Sequence, residues 1–121
     1  AYGLQKSSDE QKAKRHRAIQ EATRHAIEVP MQVARLSMDA MGVAKKMADI
    51  GNPNSITDAG VGAMAIRTGV KGAILNARVN LADLEDGTYA KDIRKECSDL
   101  WLAIERAEAD VLRRVEQVLG L

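Results

Sequence analysis

From Ser55 or Thr57 to Leu81 the sequence sets apolar or small residues on almost every side of a helix, which demands a helical fold with this segment at its centre. At about 100° per residue, Asp58, Gly62, Ala65, Gly69, Gly72, Ala73, Asn76 and Asn80 share one face. Val61, Met64, Leu75 and Val79 flank that face on one side, and Ile66, Val70, Ile74 and Leu81 flank it on the other. Only a strip of Arg67, Lys71 and Arg78 is left for water, so the helix is expected to be buried. Gly60, Gly62, Gly69 and Gly72 each cost a helix interior roughly 1 kcal/mol relative to Ala. Close packing of neighbouring backbones would offset that cost.

The rest of the chain reads as amphipathic helix. Ser8 and Gln11 form a capping-box pattern that opens a helix through Val29, with Ala18, Ala22, Ala26 and Val29 as a thin apolar stripe. Pro30 removes one backbone donor and crowds the turn before it. The period resumes at Met31 and continues through Val33, Ala34, Met38, Met41, Ala44 and Ala48 to Ile50, where Gly51 supplies a stop. One long helix kinked near Pro30 and two stacked helices both fit this pattern. Asp83 to Thr88 is a turn, and a last helix runs from about Tyr89 to Leu119. Its positions Ile93, Cys97, Leu100, Ile104, Ala107, Val111, Val115 and Val118 alternate steps of three and four, a bundle seam. The expected architecture is all-α: an antiparallel bundle of long helices, one domain over residues 1–121.

Composition agrees and excludes several functions. Hydrophobic residues are 45% of the chain but aromatics only 2%, with no Phe, so the core must come from aliphatic residues and Met, as in helix bundles. Lys plus Arg is 18 against 17 acids, and a net charge of +1 offers no broad field to nucleic acid or to a membrane surface. The single cysteine, Cys97, precludes an internal disulfide and suits a reducing cytoplasm. No apolar run reaches the ~18 residues of a membrane span. The start Ala1-Tyr2-Gly3, without initiator Met or signal peptide, is read as that of a fragment or of a chain whose beginning is missing.

Candidate functional residues concentrate in two places. Asn52, Asn54 and Asp58 lie in a tight polar loop at a helix N-terminus, where amides, one carboxylate and free backbone N–H groups come together. They could serve a ligand, or Asn54 or Ser55 could cap the helix while Asp58 complements its dipole. Asn76 and Asn80 are one turn apart on the Gly/Ala face, and could bond a ligand, a neighbouring helix or a symmetry mate. Asp58 and Asn76 are 18 residues apart, or about 27 Å along a helix. One chain therefore cannot bring both clusters to a small ligand, whereas a two-fold pair of antiparallel copies could. His16 and His25 fall on opposite helix faces, and with one cysteine no zinc site is expected. The basic run Lys12, Lys14, Arg15, His16 and Arg17 could touch phosphate or a polyanionic ligand tail, but with Asp9, Glu10 and Glu21 close by it reads as a solvated face. Cys97 and the methionines Met31, Met38, Met41, Met47 and Met64 read as core.

Ile27-Glu28-Val29-Pro30, the block Gly51-Asn52-Pro53-Asn54-Ser55-Ile56-Thr57-Asp58-Ala59-Gly60-Val61, and Gly72-Ala73-Ile74-Leu75-Asn76-Ala77-Arg78-Val79-Asn80-Leu81 together closely resemble the formiminotransferase-cyclodeaminase C-terminal family. Ala1-Tyr2-Gly3-Leu4-Gln5-Lys6 resembles that family's lead-in to this helix, so the likeness covers essentially the whole chain. The family's complete domain begins with a further helical segment carrying a Gly-Gly-Gly-Ser motif, which this sequence lacks. The resemblance implies an all-α, dimer-forming, cytoplasmic enzyme that binds tetrahydrofolate as substrate and holds no tightly bound cofactor or metal. It occurs both fused to a formiminotransferase and alone. The implied reaction closes 5-formiminotetrahydrofolate to 5,10-methenyltetrahydrofolate with release of ammonia, or is the related methenyltetrahydrofolate cyclohydrolase step. Asp58 would then move the proton, and Asn52, Asn54, Asn76 and Asn80 would orient the substrate. A helical assembly module without catalysis is the alternative of another class.

Overall fold

Pro30 does not divide the first helix. In the computed structural model, which describes the backbone of residues 2–121 and the side chains from Ser7 onward, α1 runs unbroken over 49 residues, Tyr2–Ile50. A proline inside a helix costs on the order of 3 kcal/mol through the lost bond and the ring's crowding. Contacts on both sides of Pro30 hold the turn. Ile27, Met31 and Ala34 are buried in the core, and Glu28 and Arg35 are tied to the last helix. The helix also starts earlier than Ser8, which lies inside it, because Leu4, Gln5 and Lys6 before the capping-box pattern are themselves good helix formers.

Gly51 ends α1 with φ +67, a backbone conformation that strains any residue with a Cβ. After a five-residue loop, α2 spans Ile56–Leu81, and α3 spans Gly87–Leu119. The Asp86 carboxylate accepts the Tyr89 N–H at the start of α3, and Gly120 closes its end in the left-handed conformation. Cross-chain bonds fix the directions. His16 meets Glu85, Arg35 meets Glu96 and Arg114 donates to the Ala48 carbonyl, so α1 and α3 run parallel. Arg67 opposite Glu108 and Lys71 opposite Glu105 set α2 antiparallel to both. The result is an up-down-up three-helix bundle, and none of its helices is long and apolar enough to cross a membrane among the described residues.

The core is the inner seam of each helix: Ile27, Met31, Met41 and Ala48 from α1, Ile56, Val70, Ile74 and Leu81 from α2, and Ile93, Cys97, Ile104 and Val111 from α3. The α3 seam and the Ile66/Val70/Ile74/Leu81 stripe of α2 are as expected. The other two stripes of α2 are exchanged. Arg67 and Lys71, expected in water, turn onto α3, which supplies Glu108 and Glu105, while Arg78 stays exposed with its guanidinium over the Trp101 ring. Val61, Met64, Leu75 and Val79, expected to be buried, are 45% to 72% exposed, so α2 is the middle helix but has one open face. Met47 and Met64 are likewise on the surface rather than in the core.

Helix α1 carries a second, bare seam beside this open face. Val29, Val33, Leu36, Ala40, Val43, Met47 and Ile50 follow one another in steps of three and four and are all exposed. Such a run specifies a coiled-coil packing surface, and among the described residues no other helix occupies it. The glycines of α2 fit the same picture. A Cβ on Gly60 would sit 3.3 Å from Val115, so that glycine is required by α3, whereas at Gly62 and Gly72 a Cβ would meet nothing within 4 Å. Among the glycines of α2, packing inside the chain is therefore tight only at Gly60, while at Gly69 a Cβ would make an ordinary contact with Ser37 at 3.7 Å.

Candidate functional site

Between the open faces of α1 and α2 lies a groove of about 630 Å³, walled by Ala26, Val29, Pro30 and Val33 of α1 and floored by Gly69, Gly72 and Ala73 of α2. Both glycines lower the floor, since neither presents a side chain. Pro30 adds polarity in an unexpected way. With no N–H at Pro30, the Ala26 carbonyl one turn back loses its helical donor, and Ala26 lines the groove. Asn76 and Asn80 complete the lining. The Asn80 amide donates to the Asn76 carbonyl at 3.3 Å, and the Asn76 amide has no partner among the described residues. The two asparagines are thus not on a buried stripe, as their face had suggested, but at the mouth of an open cleft with amide capacity to spare. A cleft of this size, apolar with a few convergent amides and carbonyls, suits a flat heterocycle with a polar edge.

The second candidate cluster is at the far end of α2. Asn52 Oδ1 accepts the Asn54 N–H at 3.0 Å, and the Asn52 carbonyl accepts the Ser55 N–H at 3.0 Å, so Asn52 shapes the loop. Ser55 occupies the N-cap position, but its side chain makes no capping bond. Asn54 and Asp58 are exposed, with Asp58 in the first turn of α2. The chain brings Asn52, Asn54 and Asp58 together, and separately Asn76 with Asn80. It does not bring the two groups to one place.

Sequence reasoning missed the polar cluster behind the groove wall. Arg35 binds Glu96 through two nitrogens at 2.8 and 2.7 Å and Glu28 at 2.8 Å, while the Tyr89 hydroxyl donates to Glu28. The Tyr89 hydrogen bond, then Arg35, holds the Glu28 carboxyl below its ordinary range. Glu96 first and Glu28 second raise the Arg35 guanidinium. Burial, reinforced by Glu28, pushes the Tyr89 phenol up to about 12. The seven-residue spacing of Glu28 and Arg35, which places both on one face across Pro30, was the available signal. Cys97 is buried with its sulfur 3.6 Å from that of Met31, and burial raises its thiol. Among the described residues no group of three or more His, Cys, Asp or Glu is placed to hold a metal.

A family model described as formiminotransferase-cyclodeaminase matches residues 1–99. A methenyltetrahydrofolate cyclohydrolase of Methylorubrum extorquens is 40% identical over 100 residues, covering 83% of this chain and 48% of that protein. Formimidoyltransferase-cyclodeaminases of Rattus norvegicus and Sus scrofa are 32% and 34% identical over 116 residues, covering 96% of this chain and 21% of each of those proteins. The chain therefore spans about half the length of the first relative and about a fifth of the other two.

Proposed function

The chain belongs to the formiminotransferase-cyclodeaminase family, and from that premise we propose that it acts on the one-carbon unit between N5 and N10 of a tetrahydrofolate. The primary reaction is closure of 5-formiminotetrahydrofolate to 5,10-methenyltetrahydrofolate with loss of ammonia. The observation that carries this assignment is the glycine-floored groove edged by Asn76, Asn80 and the Ala26 carbonyl, which lacks its usual donor at Pro30. That groove offers a pterin both a flat surface and amide partners. N10 attacks the carbon of the protonated formimino group, forming the N10–C bond. The proton on N10 then passes to the amine of the tetrahedral adduct, and the C–N bond to that amine breaks, giving ammonia and the methenyl cation. The protein must align the two nitrogens and carry that proton, and Asp58 is the carboxylate proposed for the transfer.

Because Asp58 lies about 27 Å along α2 from Asn76, this mechanism needs a second copy. Ile19, Ala22 and Ala26, exposed and in the same steps, continue the bare seam of α1 toward its N-terminus. From Ile19 to Ile50 it is about 45 Å long, and with two adjacent helices roughly 20 Å wide the open face is near 900 Å². About 800 Å² per partner is enough for a stable interface. The midpoint of the seam is near Val33, which lines the groove together with Thr68, and Thr68 is also near the midpoint between Asp58 and Asn76. A two-fold axis there superposes the open face on itself and sets the partner's loop end against this chain's groove. Asn52, Asn54 and Asp58 would then act on substrate held by Asn76 and Asn80 of the other copy.

The test is active-site complementation, measured as ammonia release from 5-formiminotetrahydrofolate. Asp58→Asn and Asn76→Ala proteins should each fold and be inactive, and mixing them should restore about a quarter of the sites by random pairing. A folded Asp58→Asn protein with full activity removes that residue from the mechanism. Two inactive variants that stay inactive when mixed place the whole site in one chain. A second reading, hydrolysis of 5,10-methenyltetrahydrofolate, is favoured by the 40% identity to a cyclohydrolase. Loss of methenyl absorbance without ammonia release from the formimino substrate would select it. A folded oligomer inert in both assays would instead be an assembly module.

A further inference from the structure

The interface of α2 with α3 is a ladder of charge pairs that loses its acidic partner at one rung. Arg67 faces Glu108, and one turn on Lys71 faces Glu105. The next cation toward the C-terminus of α2, Arg78, comes to the level where α3 offers Ser98 and Arg94 in place of a carboxylate. These three residues, with Leu81 and Ala82, line a cleft of about 350 Å³. Neither guanidinium is ion-paired among the described residues, and two nearby carboxylates are engaged elsewhere: Glu96 is bound by Arg35, and Asp99 by Lys95 at 2.9 Å. Arg78 is not needed to finish its helix, since the Asp83 and Leu84 N–H groups already bond the Asn80 and Leu81 carbonyls. Trp101, with Arg78 5.5 Å and Lys71 4.3 Å from its ring centroid, holds Arg78 against α3. Lys91, exposed one turn before Arg94, adds a third positive charge on the same side of α3.

We propose that the Arg78/Arg94/Ser98 cleft binds a small oxyanion, a carboxylate or phosphate group, which replaces the absent acid of the ladder. Two guanidiniums lining one cleft without an ionic partner repel each other unless an anion lies between them, and the planar fork of arginine matches both oxyanions bidentately. The site is separate from the groove described above. Arg78 projects about 200° around α2 from Asn76, so the ligand is held on the α3 side.

The experiment is a titration of the whole chain with inorganic phosphate and, separately, succinate at constant ionic strength, followed by backbone amide NMR shifts. Expected are saturable shifts centred on Arg78, Arg94 and Ser98. Arg94→Gln should weaken binding at least tenfold, while Arg106→Gln, an exposed arginine of α3 outside the cleft, should not. Ser98→Ala, which keeps both charges, should weaken binding without changing the fold. Tighter phosphate binding assigns the cleft to a phosphorylated ligand, and tighter succinate binding assigns it to a carboxylate-bearing one. Shifts that do not saturate, or an equal loss in Arg94→Gln and Arg106→Gln, would overturn the site as non-specific screening.

Discussion

Replacing Gly72 by Ala separates what the groove needs from what the helix needs. Gly72 is an interior residue of α2 without positive φ, and a Cβ there meets nothing within 4 Å. The helix should therefore gain about 1 kcal/mol from propensity alone. For a domain of this size that gain corresponds to a melting temperature roughly 4 °C higher. The same methyl group rises from the groove floor, where a flat ligand would have to lift away from Gly72 to accommodate it. Overpacking of that kind costs about 1–3 kcal/mol, so substrate binding should weaken by about fivefold to a hundredfold. Thermal melts and the substrate concentration dependence of folate turnover measure the two effects. Gly62→Ala is the control, because its Cβ also meets open space but the residue is outside the groove lining. A higher melting temperature with unchanged substrate affinity in both variants would refute the groove as the binding site. A lower melting temperature would show that the second copy proposed above packs closely over Gly72, where the single chain leaves open space.

Three further outcomes are expected. Ile74→Ala, at a fully buried core position, should lose about 2–5 kcal/mol in urea unfolding, and a loss below about 1 kcal/mol would contradict the packing described. In a Tyr2→Phe background, ultraviolet titration should show Tyr89 ionising at about 12, and Glu28→Gln should bring that ionisation back toward 10.0. Because the folded value lies above the unfolded one, Tyr89's contribution is intact below pH 10.0 and fades as the pH rises through about 12, whereas the depressed Glu28 contributes above 4.5 and fades as the pH falls through its folded value. Leu36→Asp, at a position 68% exposed, should leave the melting of the isolated chain unaltered and make the protein monomeric in sedimentation, while an unchanged oligomer would move the interface elsewhere.

Helical class, the ends of α2 and α3 and the α3 seam were legible because they follow from local periodicity and stop signals. Ile93, Cys97 and Ile104 need only a 3.6-residue period to declare a common face. The asparagine clusters were legible as polar residues on a small-residue scaffold, and the distance between them followed from the helical rise. Pro30 shows the limit of such reasoning. Its local cost favours a break, and only the contacts of Ile27, Met31, Glu28 and Arg35 with the rest of the bundle outweigh it. The wet and dry sides of α2 were decided at the tertiary level for the same reason. Periodicity says which residues share a face but not what that face meets, and Glu105, Glu108 and Trp101 on a distant segment drew the cationic strip inward. That choice left the Val61/Met64/Leu75/Val79 stripe uncovered beside the second seam of α1, and so opened the groove that Asn76 and Asn80 line.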